Sequence, residues 1–444
     1  MNEQERSEQE RLKQRQTRLA QELCPVVLTT EPAGAAAQPT PAGSAGSGGG
    51  FTRAASSTSG RAKTDLSVLQ KRAHRMRVKK VLLYGCGVMA GVAVTLAVLV
   101  YALTYHPRPI EPVAVLASTQ APILRAGQKL RILSWNVQYL AGKNQVFWYE
   151  TAAGYPGPVA YRPSAEDLAR TLSEVARIIT EEKPDIVLLQ ELDEGSKRTD
   201  YADQLGCLLE RLPPDYGQRV EAFYHRARYV PHPRIRGAIG MKLAILSKYR
   251  IREARRYQLP LMPQNLLSRQ FYFKRALLEA RLPVEGGPDL VVVDTHFDAW
   301  TAGTDTSERQ AQATAALLAR LDQQGCTWCL GGDFNILPPG PAYSSLPASE
   351  QAELRSTSDL APLFERYQAV PSLAETGGGD SARWFTHWRN RLPRPDRTYD
   401  FLFFPRHVSI GDHYVRQRDP GQTAFLRISD HFPVLAEITL PTAK

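Results

Sequence analysis

Thr327-Trp328-Cys329-Leu330-Gly331-Gly332-Asp333-Phe334-Asn335 is the stretch on which the fold reading of this chain turns. Thr327 to Leu330 carry β-branched, aromatic and apolar side chains, the composition of a short buried strand. Two glycines follow, removing side-chain bulk where another group must approach the backbone. Asp333 and Asn335 then stand two apart, a spacing that puts both side chains on one side of an extended segment. The same stretch ends a CxxC, Cys326 to Cys329. One such pair is half a zinc site, and positions three apart on a strand face opposite ways, so these thiols read as buried structural residues.

Outward from this stretch, strands alternate with helices, and polar residues recur at strand ends. Upstream, Leu290-Val291-Val292-Val293-Asp294 is a strand followed by His296. Asp185-Ile186-Val187-Leu188-Leu189-Gln190 is a buried strand followed by Glu191. Leu130 to Trp135 is a strand followed by Asn136. Downstream, Asp400 lies in a strand over residues 398–404, and Asp430 and His431 precede a strand over 434–439. Further strands are predicted over 238–247 and 273–282. Ser164 opens a helix whose Leu168, Leu172, Val175 and Ile179 share one face, and residues 307–321 form another. The pattern makes residues 127–444 one α/β domain without internal repeat.

The five cysteines are too few for a disulfide scaffold. The formal net charge of +10 is unevenly distributed. Residues 1–80 hold 14 Lys+Arg against 7 Asp+Glu, and the rest 41 against 38. High basicity is therefore mostly a property of the N-terminal arm and argues weakly for nucleic-acid binding by the domain. Residues 31–63 are rich in Ala, Gly, Ser, Thr and Pro, so residues 1–80 read as a disordered basic arm. It ends with Lys71, Arg72, Arg75, Arg77, Lys79 and Lys80. An uncharged apolar run over 81–104 follows, about 36 Å long as a helix and sufficient to cross a bilayer. Tyr101 and Tyr105 suit the far interface. The positive-inside rule places the arm in the cytoplasm and the domain outside it. Residues 105–126 read as a Pro-rich linker, and the Arg/Ala-rich composition suggests a bacterial inner-membrane protein with a periplasmic or extracellular domain.

An acid after a strand is by itself ordinary. Carboxylates, amides and imidazoles brought jointly to one rim make a site for a hard metal and a phosphate. Ser134-Trp135-Asn136-Val137, Leu189-Gln190-Glu191, Thr295-His296, Gly332-Asp333-Phe334-Asn335, Arg397-Thr398-Tyr399-Asp400 and Ser429-Asp430-His431 together resemble the ordered signatures of the endonuclease/exonuclease/phosphatase superfamily. The resemblance spans the domain, with GDFN and SDH its most specific elements. It implies a DNase I-like four-layer α/β sandwich, two packed mixed β-sheets flanked by helices. It also implies a metal-dependent phosphoric ester hydrolase.

Asn136, Glu191 and Asp430 are hard oxygen donors suited to Mg²⁺ or Mn²⁺. Asp333 suits the orientation or deprotonation of an attacking water, and Asn335 donation to a phosphate oxygen, while Gly331 and Gly332 remove side-chain bulk where that phosphate must come near the backbone. His431 suits phosphate contact or acid/base work. The resemblance implies that Asp400 orients His431 and that His296 contacts the transition-state phosphate. The motif around Asp400 departs from the Ile-Asp-Tyr often found in the family, which implies altered packing with the acid retained. Substrate does not follow from fold. Basic-aromatic stretches, Tyr224 to Tyr229 with His232, Arg234 and Arg236, and 384–397, suit a nucleic-acid backbone or an anionic headgroup. The tether favours a lipid or other extracytoplasmic phosphoester. The alternatives are an extracytoplasmic nuclease and a non-catalytic binding scaffold. The expected partners are the bilayer and the phosphoester, with no obligate protein partner evident.

Overall fold

In the computed structural model, residues 61–117, 120–145, 160–351, 354–390 and 392–442 are described. The chain divides into two compact units. In one, a single helix, Arg61–Leu103, runs for 43 residues. Residues 61–80, expected as part of a disordered arm, thus belong to the helix, because no Gly or Pro interrupts them; residues 1–60 lie outside the described residues. The helix is long and apolar enough to cross a membrane, and its apolar side chains, such as Leu83 and Met89, are exposed.

The other unit is built on two seven-stranded mixed sheets. The first runs Ser409–Val415, Val434–Thr439, Lys129–Asn136, Ile186–Asp193, Gly237–Ser247, Gln218–Val230, Leu116–Ala117. The second runs Ile110–Val113, Glu253–Gln258, Ala276–Leu282, Leu290–His296, Thr327–Asp333, Asp400–Phe404, Gln368–Val370. Each contains one parallel pair, Lys129–Asn136 with Ile186–Asp193 and Leu290–His296 with Thr327–Asp333. All other pairs in the two sheets are antiparallel.

The inner faces meet in a core that includes Ile132, Leu188, Val292 and Leu402. Helix Ala165–Glu182 covers the first sheet with Leu172, Val175 and Ile179. Its start is fixed by Ser164, whose hydroxyl accepts from the Asp167 N–H, and Lys183, left-handed at φ 50°, ends it. Helix Thr306–Gln323 covers the second sheet with Leu317, Leu318 and Leu321 against Trp328, Phe401 and Phe403. Each such buried large side chain contributes roughly 1.5–3 kcal/mol. The result is the four-layer α/β sandwich. Cys326 and Cys329 are buried free thiols, as the strand reading required.

Residues 105–126 are not a free linker. Ile110–Val113 forms the edge of the second sheet and Leu116–Ala117 the edge of the first. Leu124–Arg125 pairs with Val284–Glu285. The α/β body therefore starts before Gly127.

Candidate active site

Strand register sets the site. His296 lies beside Asp333 in the parallel pair, and Asp333 opposite Asp400 in the antiparallel one. Three strand-terminal polar residues therefore form one row on the second sheet. The first sheet brings Asn136 to the end of its strand. Its amide Nδ2 donates to Asp333 Oδ2 at 3.0 Å, which joins the two sheets at this rim. Ser429 donates its hydroxyl to the Asn136 carbonyl at 2.8 Å, and Trp135 Nε1 donates to the His431 carbonyl at 2.9 Å. These bonds hold the segment carrying Asp430 and His431 over the same end.

The two glycines before Asp333 act differently from the expected phosphate approach. A Cβ on Gly331 would lie 2.5 Å from Leu188 and 2.7 Å from Leu402, and one on Gly332, at φ 149°, would lie 2.0 Å from the Thr295 carbonyl oxygen. They serve close packing within and between the sheets. Asp333 and Asn335 also meet by another route than an extended segment. Asn335 is left-handed, φ 52°, and its N–H donates to Asp333 Oδ1 at 2.9 Å. The turn aims its amide at His296 Nε2, 3.1 Å away. Glu191 is likewise left-handed at φ 61°. It sits at a register shift between Leu189 and Leu192 inside the strand, and the bulge takes it out of the regular alternation.

Charge is partitioned sharply. His431 Nδ1 is 2.8 Å from Asp400 Oδ2, and its Nε2 is 3.6 Å from Asp333. Burial opposes the imidazolium, but Asp400 and Asp333 more than offset it and hold its pKa well above the ordinary value. His296 is the opposite case: burial, then Arg275 and His431, push its pKa well below. A neutral His296 accepts from Asn335 on Nε2, with Tyr224 OH 3.5 Å from Nδ1. Burial raises the Asp333 carboxyl, with His431 pulling the other way. Burial also raises Glu191 and Asp430, and Asp430 pushes Glu191 further up.

Glu191 and Asp430 line one cleft and repel each other, and such a carboxyl pair fits a hard divalent cation, which would relieve the repulsion. The tighter groupings, Asp333, Asp400 and His431 or His387, Asp430 and His431, have donor atoms within 4.8 Å of one another. His431 is committed to Asp400, so we assign the first of these to proton handling.

All eight residues singled out from sequence thus converge here, Asn136, Glu191, His296, Asp333, Asn335, Asp400, Asp430 and His431. Glu191, His296, Asp333, Asn335, Asp430 and His431 border a cleft of about 720 Å³, while Asn136 and Asp400 stand behind it, bonded to Asp333 and His431. Other cleft residues lie outside those eight. Arg275 is buried, bonds Asp298 through Nε at 3.3 Å, and leaves one terminal nitrogen unpartnered. Arg198 stacks 3.4 Å from the Tyr139 ring centre. His387 packs 4.6 Å from the His431 ring. Of these only His387 lies in a basic-aromatic stretch singled out from sequence, the run over 384–397; Arg234, of the other run, also reaches the cleft.

A model of the Endonuclease/Exonuclease/phosphatase family matches residues 133–431. Enzymes of that family usually use a divalent metal. No curated protein matches the chain. Among solved structures, an endonuclease/exonuclease/phosphatase from Beutenbergia cavernae is similar at 20% identity and TM-score 0.48, covering 71% of this chain and 72% of that one. The human Nocturnin catalytic domain is similar at 16% identity and TM-score 0.43, covering 73% and 96%. Truncated TDP2 from Caenorhabditis elegans is similar at 15% and 0.41, covering 71% and 98%.

Proposed function

This chain belongs to the endonuclease/exonuclease/phosphatase family and is a phosphoester hydrolase, and on that premise we propose a membrane-anchored enzyme using Mg²⁺ or Mn²⁺ held by Asn136, Glu191 and Asp430. The observation that carries the reading is Asp333, a buried carboxylate flanked by Asn136, His296, Asn335 and His431.

The cation supplies Lewis-acid stabilisation of charge on a phosphoryl oxygen. The chain's own groups do the rest. Asn136 and the Asn335 N–H fix the Asp333 carboxylate, which burial makes more basic, so it takes the proton of the attacking water. Asn335 and His296 face the same space: the Asn335 amide donates to a phosphate oxygen, and His296, whose neutral ring accepts from that amide, positions it beside the phosphate. His431, kept cationic by Asp400, offsets the charge that builds up in the transition state and supplies a proton to the leaving oxygen.

The substrate in this reading is a lipid-type or other extracytoplasmic phosphoester. Its support is the apolar helix preceded by six basic residues between Lys71 and Lys80, which by the positive-inside rule leaves the body outside the cytoplasm, in the periplasm of a bacterial cell. A nuclease is the second reading, favoured by Arg162, Lys197, Arg198 and Arg389 along the cleft.

The test uses the full chain in phospholipid nanodiscs with Mg²⁺, offered bis(p-nitrophenyl) phosphate, phospholipid and plasmid. Asp333→Ala and His431→Ala should each lower kcat by about 10²–10⁴-fold. Undiminished turnover in either variant would overturn the site, and turnover of plasmid alone would overturn the lipid reading.

A further inference from the structure

The loop between Glu253–Gln258 and Ala276–Leu282 carries an apolar tip. Leu266 and Leu267 are adjacent and 77% and 61% exposed. Their position is fixed rather than frayed: Asn265 Oδ1 accepts from the N–H of both Leu267 and Ser268. Behind the tip, Met262 is buried against Thr304 and Thr306. That contact links the loop to the next one, which bears Trp300, 62% exposed and at the cleft mouth with Tyr272 of the first loop. Monomeric soluble surfaces scatter single apolar residues; two adjacent exposed leucines, on a loop packed against the one that bears an exposed tryptophan, mark an interaction surface.

The surroundings identify the partner. From Ala254 to Leu278 there is no Asp or Glu, so no acidic side chain of this loop opposes an anionic surface. Arg269 on this loop and Arg226, Arg228 and Arg236 on the neighbouring hairpin are exposed. Apolar side chains ringed by cations suit a bilayer containing anionic lipid. A second feature gives the direction. The chain joins the α/β body at Thr104, which bridges to Ala227, and Gln258 N–H bonds the Pro109 carbonyl at 2.9 Å. His225 Nε2 bonds the Phe271 carbonyl at 2.9 Å. The point where the apolar helix is tethered and the loop with Leu266 and Leu267 are therefore near neighbours at one end of the body.

We propose that Leu266 and Leu267, with Trp300 on the adjoining loop, insert into the outer layer of the bilayer that holds the helix and turn the cleft mouth toward the lipid headgroups. The docking rests on the membrane-anchored reading above; substrate then reaches the cleft laterally from the same surface. Arg226, Arg228, Arg236 and Arg269 engage anionic headgroups around the tip.

The test places photoreactive p-benzoylphenylalanine at Leu266, Leu267 or, as a control at the other end of the body, Gln323, in the full chain in phosphatidylcholine/phosphatidylglycerol nanodiscs. Lipid adducts read by mass spectrometry should be several-fold more abundant at 266 and 267 than at 323; equal yields overturn the proposal. In parallel, Leu266→Asp/Leu267→Asp should lower turnover of bilayer phospholipid about tenfold or more and leave that of soluble bis(p-nitrophenyl) phosphate unchanged. Equal loss on both substrates overturns docking as the cause. A wild-type chain that hydrolyses neither substrate sinks the proposed function, while the adduct pattern still decides the docking.

Discussion

Asp400 places one carboxylate oxygen on His431 and buries the other without a partner. Its backbone N–H and that of Tyr399 both donate to Thr386 Oγ1, at 3.0 and 2.9 Å, so the acid is held from behind and not free to follow substrate. Asp400→Asn keeps the shape and removes the charge that holds the imidazolium. We expect kcat to fall by about 10²–10⁴-fold with KM little changed, read from steady-state kinetics on a soluble phosphodiester. A rise in KM with unchanged kcat would show instead that Asp400 acts on binding. The site residues were legible in sequence because each closes or opens an apolar run, and a polar residue at the end of a strand is visible in one dimension. Arg275 was not, and Tyr224 was legible only as part of a basic-aromatic stretch, because their roles come from contacts between distant segments: Tyr224 meets His296 and Arg275 meets Asp298.

The glycine pair shows how a strand can be constrained by its neighbours more than by its ligand. Gly332→Ala would drive a Cβ into the Thr295 carbonyl of the adjacent parallel strand, a backbone atom that cannot rotate away. We expect a loss of about 3 kcal/mol or more, measured as a lower denaturation midpoint, and a weaker fold even without substrate. Unchanged stability with lost activity would return the glycine to a phosphate role. Regular elements with one apolar face, such as Ala165–Glu182, declared themselves by period. Glu253–Gln258 did not, since its inward position is filled by Arg256, which is buried and donates to the carbonyls of Phe223 and Lys274 at 3.0 and 2.6 Å. An arginine satisfied by backbone oxygens can occupy a core position while erasing the apolar alternation that reveals a strand.

At the scale of the molecule, the cleft brings together carboxyls from separate segments, and folding must hold them close. The divalent cation proposed above would offset that cost through mass action, about 2.7 kcal/mol at a concentration a hundred times Kd. Chelation with EDTA should therefore lower the melting temperature of the full chain. Glu191→Gln should shrink that metal-dependent shift, because it removes the carboxylate charge of a proposed ligand and with it the repulsion the cation would relieve. Identical melting of the wild type with Mg²⁺ and with EDTA would count against the metal assignment.

The segment that joins helix to body has a practical consequence. Residues 110–117 occupy one edge of each sheet. A fragment cut at Gly127 would strip both edges at once, leaving Glu253–Gln258 and Gln218–Val230 with open rows of N–H and carbonyl groups, the template on which chains add to one another and precipitate. Soluble preparations of the catalytic body therefore need to begin upstream of Ile110, even though the sequence alone invites the later cut.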